Sequence, residues 1–481
     1  MTAMKLMARQ ALVALALAFA SSQAALAALP IQQWNLANGA RVWLVESHGI
    51  PMVDVQLDFD AGARRDPAGK SGLAGVSARM TSKGIAAGDR AAGPPQGASA
   101  LSGGSAVAPA TSVGANESAL DENQLSEAWA DLGGSFGGGA GADRMSFTMR
   151  SLTYPDLLPK AAQLAARQLG EPSFPEPVWL RDRERMSASI REANTRPGTV
   201  AGRAFAAAVY GSHPYGADTN EASLAQIGVA DMRDYYRRHV EPCRARVSVV
   251  GDVTRAQAET LVTTLLARLP QASPGGCPAL PPVPDVAPLS QPLVQAIAFQ
   301  SAQAHVLIGQ PGYKRSDPDF FPLTVGNYIL GGGGFVSRLT HEVREKRGLS
   351  YSVSSYFAPG LHAGAFTVGM QTRPDQTAQA VQVSREVLER FVADGPTEAE
   401  LKAAKDNLVG GFALRIDSNR KLLGNVANIA WNDLPLDYLD TWTRQVERVT
   451  VDSIQAAFAR KVQPSRLVVV TVGATDAPAP R

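Results

Sequence analysis

An α+β fold built from two copies of one domain is predicted by three observations. A proline-dense stretch divides the 481-residue chain past its midpoint. The segments on either side repeat each other at nearly constant spacing. Each copy mixes short apolar strand patterns with longer amphipathic helix patterns. At roughly 150 residues per domain the length allows about three domains, and two larger ones fit equally well. With 46 basic against 44 acidic side chains, the chain has no strongly basic domain of the kind that binds nucleic acid. At 45% hydrophobic it is also far from a charged disordered chain.

The first element is not part of the fold. Lys5 and Arg9 precede the apolar run Ala11 to Ala20, and Ala25-Leu26-Ala27 offers small residues at cleavage spacing. Residues 1–27 therefore read as a secretory signal peptide, which places the protein outside the cytoplasm, in the periplasm. Without Lys5 and Arg9, 44 basic residues balance 44 acidic ones. No later segment holds eighteen consecutive apolar residues, so no membrane span is expected after signal removal. Export to an oxidising compartment makes Cys243 and Cys277 candidates for a disulfide, although two cysteines can also remain free.

The first α+β domain is expected over residues 28–272. Within it, Gly84 to Asn116 lacks apolar periodicity and aromatic residues, and ordering it would cost backbone entropy with little burial in return. This stretch reads as a disordered insertion. A second glycine cluster, Gly133 to Gly141, lies between a helix (Glu122 to Asp131) and a strand (Met145 to Arg150). Thirteen of the 44 glycines fall between Gly84 and Gly141, so the glycine excess is largely local.

Residues 273–292, SPGGCPALPPVPDVAPLSQP, are too proline-rich for a packed helix or a central strand and read as a linker. The second α+β domain then spans 293–475. Val229, Met232, Tyr236, Pro242 and Gly251 meet Val451, Ile454, Phe458, Pro464 and Gly473, each 222 positions later. Phe147-Thr148 and Pro155-Asp156 meet Phe366-Thr367 and Pro374-Asp375, 219 positions later. Such spacing is the mark of an internal duplication. Gly331 to Gly334 lacks the Lys-Ser/Thr ending of a phosphate-binding loop and reads as a backbone passage with unusual dihedrals or close approach of another chain.

Direct reading of the residues yields no catalytic centre. No two of the six histidines stand at i,i+4, and no CxxC occurs. Yet several strings resemble one family closely: LANGARVWLVES, AGARRDPAGKSGLAG, AAVYGSHPYG, ILGGGGFVSRLTHEVREKRGLSYSVSS and the repeated P-x-R-x-x-V…G endings. Together they resemble the pitrilysin/insulinase (inverzincin) metallopeptidases, which include the mitochondrial processing peptidase, from about Leu29 to Gly473. The resemblance implies two homologous domains forming half of a clamshell, and a zinc site His-x-x-Glu-His on a helix. The matching positions hold Gly75, Ala78 and Arg79. A glycine and an alanine cannot ligate or take a proton, and Arg79 repels a dication. The distal acidic ligand would fall near Glu184, Arg191 or Glu192. No zinc or other cofactor is therefore expected in this chain, and no peptide hydrolysis by it alone.

In the family's bacterial two-subunit members, the resemblance implies, one subunit carries zinc and the other an Arg/Tyr pair that reaches the partner's active site. Arg344 and Tyr351 stand at the matching positions, and both can donate hydrogen bonds to a developing oxyanion. Lys346 and Arg347 read as solvated helix-end charges, and His213 as a turn residue. The resulting expectation is a non-catalytic subunit, partnered by a His-x-x-Glu-His zinc peptidase subunit and binding extended peptide. The rival from another class is a peptide-binding or assembly protein without proteolytic role. An active enzyme with a relocated metal site would need ligands that six scattered histidines do not supply.

Overall fold

The computed structural model of the chain describes residues 30–88, 117–270 and 277–474. The signal-peptide reading and most of the insertion therefore lie outside the described residues.

The first half begins with strands β1 (Gln32–Asn35), β2 (Arg41–Glu46) and β3 (Met52–Phe59), then helix α1 (Leu73–Met80). A two-residue strand β4 (Gly84–Ile85) pairs with β5 (Leu120–Asp121). Next come α2 (Glu122–Asp131), β6 (Ser135–Ala140) and β7 (Met145–Leu152). Four helices follow: α3 (Leu158–Gly170), α4 (Glu176–Ala193), α5 (Pro197–Tyr210) and the short α6 (Glu221–Ala225). Helix α7 (Val229–His239) leads to β8 (Arg246–Gly251), and α8 (Arg255–Leu266) closes the half.

The second half supplies β9 (Leu293–Ile297), β10 (Ala304–Pro311), α9 (Phe320–Asn327), β11 (Ser350–Phe357) and β12 (Ala365–Thr372). Its helices continue with α10 (Thr377–Asp394), α11 (Glu398–Gly410), α12 (Asn419–Trp431), α13 (Tyr438–Glu447) and α14 (Val451–Lys461) before β13 (Val468–Val472).

The two sheets share one topology. The first has the order β1-β2-β8-β3-β7-β6 and the second, read from its other edge, β9-β13-β10-β12-β11. In both, one parallel pair (β2 with β8, β9 with β13) joins an otherwise antiparallel sheet. The duplicated segments thus occupy equivalent places, with β1 as an extra edge in the first half.

What no pattern in either half announced is an exchange of helices. One face of each sheet packs on helices of its own half, around Phe59 and Phe147 in the first and Phe366 and Phe458 in the second. The other face is covered by the opposite half. Ala201, Phe205 and Val209 of α5 pack on Val468, Val470 and Val472 of β13. Leu422, Val426 and Ile429 of α12 pack on Trp43, Val45 and Val250. This explains why β8 and β13 are buried almost end to end, as strands covered on both faces are. Arg246 of β8 locks the exchange. Its guanidinium donates to the Ala430 carbonyl (2.6 Å) and to that of Trp431 at the end of α12, and stacks over the Trp431 ring.

Two expected boundaries need correction, and one glycine cluster proves to be a strand. The stretch expected to be disordered from Gly84 onward is ordered through Gly88, because β4 pairs with β5 and Gly88 bridges to Glu117; residues 89–116 lie outside the described residues. The glycine cluster after α2 is a strand, β6, since a full ladder to β7 holds it although it has few side chains to show alternation. The strand that follows runs to Leu152 rather than Arg150. Residues 277–292 carry no helix or strand and are tied down at intervals. Arg244 donates to the Pro278 carbonyl (2.6 Å), Arg65 to that of Pro281 (2.9 Å), and the His213 ring bonds that of Pro284 (2.9 Å). Cys243 and Cys277 form a disulfide, with Cα atoms 5.9 Å apart.

Candidate functional site

The degenerate zinc-motif positions lie on α1. The Asp66 carboxylate caps this helix, accepting from the backbone N–H groups of Gly72 (2.7 Å) and Ala74 (2.8 Å). Burial outweighs those bonds and pushes the Asp66 pKa up to about 6. Leu73, Ala74, Val76, Ser77, Ala78 and Met80 are buried, so Gly75 and Arg79 alone form the outward ridge. That is the i,i+4 ridge on which the family pattern places two imidazoles.

Arg79 bends back along this ridge. A Cβ on Gly75 would lie 3.7 Å from its Nη1, and its Nη2 is 3.5 Å from the Met186 Sδ on α4. Ala78 is buried against β6, where a Cβ on Gly138 would come within 3.1 Å of the Ala78 carbonyl oxygen. A metal ion does not fit these residues: the first ligand position has no side chain, the base position is a buried methyl, and a guanidinium covers the ridge.

The candidates for a distal ligand are engaged elsewhere. Glu184 pairs with Arg191 (3.2 Å), Arg191 with Glu221, and Glu192 with Arg196, all on the surface. Among the described residues, one group of three possible metal ligands comes together, Glu241, Cys243 and Cys277, and its two sulfurs are joined to each other.

Arg344 and Tyr351 are brought together in the second half. Helix α9 runs into a π-helical turn, Tyr328–Gly332, where Gly331 lies so close to the Ser355 backbone that a Cβ would stand 2.5 Å from its nitrogen. Gly334 then takes a left-handed φ of +61° and the chain turns out, exposing Phe335 and Val336. A second π-helical turn, Thr340–Glu345, carries Arg344. The unusual dihedral expected of this glycine run falls at Gly334, while the close approach at Gly331 is to β11 of the same chain rather than to another chain.

Tyr351 projects from a register shift between Ser350 and Val353 at the start of β11 and is 82% exposed. The Arg344 guanidinium carbon stands 4.7 Å from the Phe335 ring centre and 4.9 Å from that of Tyr351. Two aromatic rings clamp one cation. Phe335 escaped sequence reasoning, although a large aromatic directly after four glycines is an unusual placement for a core residue.

Charge pairing singles out the same arginine. Lys346 and Arg347, expected as solvated helix-end charges, both pair with Glu342 (2.8 and 2.7 Å), whose carboxyl these bonds hold down at about 2. His341 pairs with Glu345 (2.9 Å). The Arg344 guanidinium has no carboxylate partner among the described residues.

His213 is a turn residue, as expected. Its Nδ1 accepts from the Tyr215 N–H (3.1 Å) at the start of a 3-10 turn, and its ring centre lies 5.1 Å from that of His362. These groups join the two halves to the linker: Asp143 accepts from the Leu361 N–H (2.9 Å), and His362 bonds Asp285 (3.0 Å).

With this geometry established, the relatives can be placed beside it. Residues 226–408 match the family model described as "Peptidase M16 inactive domain". The chain is 29% identical over 286 residues to an uncharacterized zinc protease of Streptomyces coelicolor, covering 58% of this chain and 61% of that one. It thus spans about 60% of the length of such curated relatives. A solved structure, the peptidase M16 inactive domain from Pseudomonas fluorescens, is 30% identical with a TM-score of 0.82, covering 94% of this chain and 100% of that one. A protease from Helicobacter pylori shares the fold at 18% identity and a TM-score of 0.78, over 92% of this chain and 99% of that one.

Proposed function

Because the chain belongs to the M16 (pitrilysin/insulinase) peptidase family and lacks an intact zinc motif, we propose that it is the non-catalytic subunit of an exported, zinc-dependent heteromeric peptidase. Its partner is a His-x-x-Glu-His subunit, which supplies the metal and the base. This chain supplies half of the clamshell, an edge on which an extended peptide can add as a strand, and the Arg344/Tyr351 pair.

The observation that carries the reading is the half-buried, carboxylate-free guanidinium held between the exposed rings of Phe335 and Tyr351. Stacking fixes the plane of the guanidinium and leaves its N–H edges free. Arg344 and the Tyr351 hydroxyl then donate to the peptide oxygen that becomes anionic as the carbonyl is attacked. Loss of one such donor costs about 2.7–4 kcal/mol of transition-state stabilisation, or about 10²–10³ in kcat.

The test is reconstitution with a zinc-bearing partner subunit. Arg344→Ala should lower kcat by that factor while the zinc content of the partner stays unchanged. A fully active Arg344→Ala pair overturns the reading, as does a lone chain that binds one zinc and cleaves peptides.

A further inference from the structure

The ridge of α1 that cannot hold zinc carries charge of its own. Arg79 is exposed, and its guanidinium contacts a thioether where a carboxylate would be expected. Burial lowers its pKa from the ordinary value, with the charge of Asp182 acting against this. An ion-pair network surrounds it. Lys83 pairs with Glu122 and lies 3.7 Å from Asp182; Arg181 meets Glu122 (3.2 Å) and Asp182 (3.3 Å), and Arg185 also pairs with Asp182. With Arg79, four cations share two carboxylates. The surplus is two positive charges, and Arg79 is the member with no direct ion pair among the described residues.

The position of this surplus is what points to a ligand. Helix α1 packs on α7 and on β6, which is the open edge of the first sheet. Gly138 of β6 faces α1, while Gly137 and Gly139 face open space, so no side chain obstructs an added strand. The ridge of Gly75 and Arg79 stands on the helix that touches this edge strand at Gly138.

We infer that the former metal position has become a subsite for a peptide carboxylate, recognised by Arg79 while the peptide lies along β6. The inference rests on the peptide-binding part of the function proposed above and goes beyond it in naming the group selected. A carboxylate suits the site because a guanidinium offers it paired N–H donors, and the uncompensated charge is relieved by an anion of the ligand. Its source is either an acidic side chain or a free peptide C-terminus.

The experiment uses the purified full chain and four fluorescein-labelled ten-residue peptides. They carry Asp or Asn at the centre and a free or amidated C-terminus, and binding is read by anisotropy at two salt concentrations. A carboxylate in the preferred position should tighten Kd on the order of tenfold, less at high salt. The Asp/Asn and free/amide arms show which source is read. Arg79→Gln should erase the difference while the amidated Asn peptide binds as before, and Arg79→Lys should retain part of it. Equal binding of all four peptides overturns the inference, as does discrimination that survives in Arg79→Gln. Its failure is separable from that of the parent reading. An Arg344-dependent pair with no carboxylate preference sinks this inference alone. Carboxylate-selective binding with an indifferent Arg344 sinks only the transition-state role.

Discussion

Replacing Phe205 by alanine should destabilise the second sheet, although Phe205 belongs to the first half of the sequence. The ring is 6% exposed and lies on β10, where a Cβ on Gly309 would stand 2.8 Å from its Cζ. Phe→Ala changes in a core cost about 3–5 kcal/mol, combining lost transfer energy with the cavity left behind. Here the lower end applies. The cluster is small, and beside it lies an open groove of about 200 Å³ bounded by Gly198, Ala201, His305 and Leu307. Water can enter from that side, so the cavity is not fully empty. About 3 kcal/mol is expected, a factor of about 150 in the folding equilibrium.

Two measurements check this. Urea unfolding followed by tryptophan fluorescence and by circular dichroism should give one coincident transition in both proteins, at lower urea in the variant, because the exchanged helices couple the halves. Hydrogen exchange should show lost protection in β10 and β13 as well as in α5. Loss confined to residues 30–270, or a second transition that the mutation leaves in place, would refute the reasoning.

Two further outcomes follow from the same contacts. His213 accepts an N–H at Nδ1 and faces the Pro284 carbonyl through Nε2, so it is held neutral, while His362, Asp143, Asp285, Tyr210 and Tyr215 surround it. Burial, then His362, lowers its pKa below 6.5; the unfolded chain therefore binds the proton first, and stability present above about pH 6.5 is lost as pH falls toward the folded value. Asp66 has the opposite sign, its carboxyl raised to about 6, so it gains stability between about pH 6 and 4. Urea midpoints measured from pH 8 to 5 should fall less in His213→Gln than in wild type; parallel curves would contradict the assignment. Reducing Cys243–Cys277, which closes a loop with a sequence separation of 34, should cost about 3–4 kcal/mol in the chain-entropy model, read as a drop in urea midpoint of the Cys243→Ser, Cys277→Ser variant against the oxidised protein.

Much of this architecture was legible because it is local. The repeat, the helix Glu122–Asp131, the turn at His213 and the proximity of Arg344 to Tyr351 all follow from residues near one another in sequence or from a matching motif. The helix exchange was not. An apolar stripe on Ala201, Phe205 and Val209 states that α5 is buried but not which sheet buries it, and the two sheets are near-copies with the same valine-rich faces. Strand β6 was hidden for another reason. Glycine at 137, 138 and 139 carries no side chain, so the alternation that reveals a strand was missing while the backbone ladder remained. Phe335 was hidden because exposure is a tertiary property. Its neighbours Gly331 and Gly334 reported a constrained loop, but not that the constraint turns an aromatic ring outward onto Arg344.

The two candidate loci also differ in how freely evolution could alter them. On α1 the six buried residues carry the packing, and the outward ridge bears none of it. The ligand positions could therefore be replaced without loss of the helix, and an arginine lying over a glycine is tolerated because nothing else competes for that space. The Arg344 locus has no such freedom. Its geometry depends on a glycine with no room for a Cβ at 331, left-handed turns at Gly334 and Gly348, and a strand irregularity beneath Tyr351. Maintaining those backbone features for the sake of packing alone would be costly, since they leave Phe335, Val336 and Tyr351 exposed to water. A loop built to display a clamped cation is better explained by something that docks against it than by the stability of this chain.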